Sequence, residues 1–150
     1  MTKTELKENI TKINKLLRSD SYEAGIELIK TLDDQKIKKG TAKAVVGIIK
    51  KLLKEGDKSR ISGVNGYDVS VQIAREFNES VIYEEILKGC SIDTETGEVN
   101  ISKSKIFKGT RDTRQDLGMT LLSFISFAPK NAKIDKSLKM GNIKILSLSI

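Results

Sequence analysis

The sequence predicts a mostly helical α+β fold, with five or six helices, a small β-hairpin and a terminal strand. Three observations support this. Apolar residues recur at spacings of three and four through residues 1–89, the stripe of an amphipathic helix. Short strand-like runs appear only in residues 90–150. Leu, Ile, Val and Phe supply 44 of the 150 residues, well above the roughly 20% below which a charged chain stays disordered. A chain of 150 residues has the size of one domain. It divides into helical hairpins over 1–89 and a hairpin, a buried helix and a terminal strand over 90–150.

The first helix opens at Thr2, with Glu5 three residues later in the form of a capping box. Leu6, Ile10, Ile13 and Leu17 then form one stripe. Asp20 and Glu23 flank a second start, followed by Tyr22, Ile26, Ile29 and Leu32 or Ile37. Thr41 opens a third helix with Val45, Ile48 or Ile49, and Leu52 inward, and Gly56 is a natural stop. Gly63, Asn65 and Gly66 mark a loop. A fourth helix runs from about Tyr67 to Phe77, and a short fifth from Ser80 to Leu87 ends at Gly89. Offset by 45 residues, Tyr22–Lys30 echoes Tyr67–Arg75 in residue class, and Lys15-Leu16-Leu17 resembles Lys51-Leu52-Leu53. Two readings fit: two stacked helical hairpins of a solenoid, or two amphipathic helices of similar composition.

Beyond Gly89, Ser91–Thr94 and Glu98–Ile101 suggest a hairpin turning at Gly97. Thr113 with Asp116 resembles a helix start, and Leu117–Ala128 is apolar on nearly every side, which predicts a buried helix ended by Pro129. Ile143, Ile145, Leu148 and Ile150 make a strand-like run, with Leu146 breaking strict alternation. Such a strand pairs with the hairpin or offers an edge to another chain.

The net charge is +7, split as +6 over residues 1–60, −6 over 61–102 and +7 over 103–150. Without His the commonest general base and metal ligand is missing. A single Cys excludes an internal disulfide and a multi-Cys zinc site, and points to a reducing compartment, most simply the cytosol. No signal-peptide pattern appears, and the most apolar stretch, Met119–Ala128, is half the length a membrane span needs (~20 residues). The expectation is a soluble, cytoplasmic protein.

Catalytic constellations fail one by one. Gly40-Thr41 and Gly109-Thr110 lack the upstream glycine of a phosphate loop, and Gly63 and Gly66 lack their Rossmann partners. Lys88 near Cys90 would lower a thiol pKa, yet no His stands ready as base, so a quiet, partly buried Cys is the expectation. Glu84 and Glu85 are adjacent and point apart on a helix, reading as a solvated face. No cofactor, metal or enzymatic role is expected. A better-defined feature is the cluster Lys103, Lys105, Lys108, Arg111 and Arg114, just before a predicted helix start where free N–H groups favour anions. It reads either as a solvated loop or as a phosphate contact, with Phe107 its only aromatic.

Glu84–Asp93, Lys105–Thr110, Leu121–Ile125, Ala128-Pro129 and Ile134–Lys139 resemble the helical N-terminal segment of some bacterial leucine-rich-repeat proteins. Ile10–Asp34 looks like that family's opening helices, and Ile143-x-x-Leu146-x-Leu148 fits the core of its first repeat strand. An array needs about three or more repeats to be stable, and only one partial strand is present. The resemblance therefore implies a cap-like helical domain with an exposed or borrowed strand edge, either a short protein or one end of a longer one. The expected function is non-enzymatic protein–protein interaction, with another protein or by self-association through Ile143, Ile145, Leu148 and Ile150. The alternative is a basic accessory protein that binds nucleic acid through phosphate contacts from Lys103, Lys105, Lys108, Arg111 and Arg114.

Overall fold

A computed structural model of the chain describes residues 2–17, 22–31, 39–56, 60–61, 64–93, 98–110 and 114–135. Among them are six helices: α1 (Lys3–Leu17), α2 (Tyr22–Thr31), α3 (Lys39–Glu55), α4 (Gly66–Phe77), α5 (Ser80–Leu87) and α6 (Arg114–Phe127). Two antiparallel ribbons complete the fold: β1 (Arg60–Ile61) with β2 (Val64–Asn65), and β3 (Ser91–Ile92) with β4 (Val99–Asn100). The fold is mostly helical α+β, as the periodicity predicts. The expected terminal strand, Ile143 to Ile150, lies outside the described residues. No described helix is long and apolar enough to cross a membrane.

The predicted capping box forms. The Glu5 N–H donates to Thr2 Oγ1 at 3.1 Å, and the Thr2 N–H donates to Glu5 Oε2 at 2.7 Å. Hydrogen bonding from the Thr2 N–H, and then from its side chain, holds the Glu5 carboxyl below its ordinary pKa. Helix α3 begins two residues before Thr41, within the usual fraying of a helix end. Its inward stripe is the expected one, with Val45, Ile48, Ile49 and Leu52 all buried. The loop expected at Gly63–Gly66 differs in detail. Asn65 ends a two-residue ribbon and caps α4, its Oδ1 accepting from the Asp68 N–H at 2.9 Å.

Helix α1 packs mainly on α2, and α3 mainly on α4, while α4 also meets α2 and α6. Within the two echoed helices, Gly25 and Ser70 are both buried, and Glu27 and Gln72 both exposed. Ala24, however, is exposed where Val69 is buried, so the helices do not bury one common register.

The core runs from Ile13 through α3, α4 and α5 to Phe124, and its largest enclosed side chains are Tyr67, Tyr83, Phe107 and Phe124. Helix α6 is less enclosed than its composition suggests: Met119 and Phe127 are 38% and 39% exposed. Its hydroxyls turn back on their own helix. Thr120, Ser123 and Ser126 donate to the carbonyls of Asp116, Met119 and Leu122 at 2.6–2.9 Å.

Two substitutions test this packing. A Cβ on Gly66 would sit 2.4 Å from the Leu52 carbonyl oxygen and 3.0 Å from that of Gly56. Both are backbone atoms that no rotamer change can move aside. Gly66→Ala should therefore cost about 1–3 kcal/mol in a denaturant melt, and an unchanged midpoint would contradict the close approach. The Tyr83 hydroxyl is buried with no hydrogen-bond partner among the described residues, and its ring meets Phe124 edge-on at 6.4 Å. Tyr83→Phe should stabilise the fold by about 1 kcal/mol, since it removes an unpaid desolvation cost. A loss of that size would show that the hydroxyl has a partner.

Candidate interaction surfaces

Helix α5 ends in a turn where Gly89 takes φ +78°, a conformation that costs other residues more. A Cβ there would lie 2.3 Å from the Lys103 carbonyl oxygen, so the turn presses directly onto the backbone of the next segment. That segment, 100–110, is a chain of tight turns. Ser102 N–H donates to Asn100 Oδ1 at 2.9 Å, Ser104 N–H to the Ile101 carbonyl at 2.9 Å, Phe107 N–H to Ser104 Oγ at 3.2 Å, and Thr110 N–H to the Phe107 carbonyl at 3.0 Å. The turns send Ile106 and Phe107 into the core and leave Lys103, Lys105 and Lys108 in solvent.

Phe107, the one aromatic of the basic cluster in sequence, is wholly buried. Arg111 lies outside the described residues, and Arg114 opens α6. The fold adds cations that the linear cluster did not include. Lys88, Lys103 and Lys105 line one small depression with Glu85. Lys54, at the end of α3, brings its Cε within 3.7 Å of where a Gly109 Cβ would stand. The basic first third and the basic last third of the chain thus meet at this loop.

A cleft of about 630 Å³ opens between α5, the foot of the hairpin and the segment after Pro129. Three cations, Lys88, Lys103 and Lys133, line it with three carboxylates, Glu84, Glu85 and Asp135. Glu85 is exposed as expected, while Glu84 is half-buried and its Oε1 accepts from the Lys133 N–H at 2.5 Å, across 49 residues of sequence. On one wall stands the β3–β4 hairpin. Asp93 N–H donates to the Glu98 carbonyl at 2.8 Å, so the neighbouring pair Ile92–Val99 is the non-hydrogen-bonded kind. The N–H and C=O groups of Ile92 and of Val99 therefore point away from each other, one set to each edge of the ribbon.

Cys90 is buried beside this cleft, its thiol donating to the Ile86 carbonyl at 3.8 Å. Burial pushes it up to about 11, against a smaller opposing hydrogen bond with Ser104. The lowering expected from Lys88 is not what governs it. Among the described residues, no group of three or more His, Cys, Asp or Glu could hold a metal ion. Comparison with protein-family models, with curated proteins and with solved structures finds no match to this chain.

The thiol and Tyr83 set the alkaline limit. Both are pushed up by burial, Cys90 from 9.0 to about 11 and Tyr83 from 10.0 to about 12. The unfolded chain therefore loses these protons first as pH rises, and stability present below pH 9 is lost between pH 9 and 12. Denaturant midpoints measured from pH 8 to 11 should fall, and Cys90→Ala should flatten the part between pH 9 and 11. A midpoint independent of pH over that range would contradict the burial of both groups.

Proposed function

We propose that the chain is a non-enzymatic protein-interaction module that receives a β-strand at the β3–β4 hairpin. The observation that carries this is the short β3–β4 ribbon itself, whose non-hydrogen-bonded pair Ile92–Val99 leaves main-chain groups at its edges and whose foot, Ser91 and Asn100, lines an open cleft. An unpaired ribbon edge accepts an extended segment by β-augmentation, in which main-chain hydrogen bonds supply affinity and neighbouring side chains supply selectivity. A two-stranded ribbon alone is marginal, so a third strand adds stability where one is available.

The strand-like run Ile143, Ile145, Leu148 and Ile150 is the candidate donor, either to its own hairpin or to another chain. The described residues reach the cleft at Asp135. The next eight residues span at most roughly 26–29 Å when extended, enough to return over the hairpin or to reach across to a second copy. The cap-like role implied by the leucine-rich-repeat resemblance fits the same reading, since a cap presents a strand edge to its array. Deleting residues 143–150 is expected to lower the denaturant midpoint or to change the mass measured by light scattering. If both stayed as they are in the full chain, the terminal run would have no part in pairing.

A further inference from the structure

We propose that Lys54, Lys88, Lys103, Lys105 and Lys108 form one surface that binds the phosphate backbone of double-stranded nucleic acid. This goes beyond strand pairing, on a surface that borders the cleft and shares Lys88 and Lys103 with it. Lys103, Lys105 and Lys108 are presented by a segment whose turns are closed by its own hydrogen bonds. Lys88 joins them across the depression it shares with Lys103 and Lys105, and Lys54 joins them at Gly109. All five are exposed, and none makes an ion pair with a described residue. The fold has thus gathered cations from α3, α5 and the loop, and Lys88 and Lys103 also line the cleft beside Glu84, Glu85 and Asp135.

The chemistry of the surface selects the partner. A protein interface is organised around buried apolar or aromatic anchors, and this surface has none: Leu52, Leu53, Ile106 and Phe107 all face inward. The exposed large apolar residues, Val81, Met119 and Phe127, belong to α5 and α6. A polyanion needs no such anchor. Single strands are held by stacking bases on aromatic rings, but of the described aromatic side chains Tyr67, Tyr83, Phe107 and Phe124 are buried, Phe77 is half-buried against the core, and Phe127 lies under the Arg75 guanidinium at 4.6 Å. Lysine is a flexible point charge without the rigid planar fork of arginine, which suits it to phosphates more than to fixed readout of a base edge. What remains is contact with the regular phosphates of a duplex, without sequence preference.

Fluorescence anisotropy with a short labelled duplex and with one of its strands alone tests this between 50 and 200 mM salt. Five phosphate contacts predict a log–log salt slope of about −4 to −5, with the duplex bound more tightly than the single strand. The triple variant Lys54→Glu, Lys105→Glu, Lys108→Glu should lose at least about tenfold in affinity and about three units of slope. A control of equal charge change, Lys7→Glu, Lys12→Glu, Lys15→Glu on the exposed face of α1, should keep the slope within one unit. Circular dichroism confirms that both variants fold. Equal losses in the two triples would assign the effect to net charge and overturn the proposal, as would tighter binding of the single strand. Binding to anionic lipid vesicles through the same three lysines, with no duplex binding, would overturn it in favour of a membrane surface.

Discussion

The arrangement of the helices depends on a backbone contact, the approach of Gly66 to the Leu52 carbonyl of α3. Side chains that meet in a core can change rotamer and share out an error in position. Two backbones that meet cannot, so the start of α4 is fixed against the last turns of α3. Asn65 holds the same point by capping α4. With its first turn set, α4 lays Val69, Ile73 and Ala74 into the core and reaches α2 and α6. Helix α5 follows after the left-handed Asn78, whose N–H donates to the Ala74 carbonyl. A few atoms at one helix junction therefore orient four of the six described helices.

A second backbone contact does the same for the candidate surfaces. Gly89 against Lys103 locks the end of α5 onto the 100–110 segment, and the segment's turns then decide which residues face which way. Ile106 and Phe107 act as the anchor, and the lysines around them are displayed as a consequence. Such a loop is irregular in shape yet held at both ends and along its length. Binding to it does not require ordering a free backbone, which lowers one of the main entropic costs of association.

The helices were largely legible because each is governed by neighbours in sequence. Thr2 with Glu5, the stripe of α3 and the Ser80–Leu87 helix all follow from local spacing. What local spacing could not show was the third dimension. Phe107 sits among lysines in the sequence, and nothing in a linear cluster says which side of a turn is inside. Lys54 and Gly109 are 55 positions apart, and Glu84 and Lys133 are 49 apart. No periodicity links such pairs. The apolar composition of α6 predicted burial all round, whereas one stripe bearing Met119 and Phe127 is open, since composition reports what a helix can bury and not how many neighbours it has.

Charge is segregated along the chain and interleaved in space, and this ties the two surfaces together. The acidic middle third supplies Glu84 and Glu85 to the cleft, and the basic last third supplies Lys103 and Lys133. Opposite signs brought together this way favour docking of the last third onto α5, helped by the bond from Lys133 to Glu84. The cations of the loop lie just past that region of compensation, so a disproportionate share of the +7 charge is left there. Lys88 and Lys103 belong to both the cleft and the basic surface. An anion that draws these two ammonium groups outward leaves the field of Glu84, Glu85 and Asp135 less compensated inside the cleft. If both proposed surfaces are occupied, occupation of one alters affinity at the other, and by linkage the effect is equal in both directions. Its sign follows the occupant: an acidic segment in the cleft competes with an anion on the loop, and a basic one assists it.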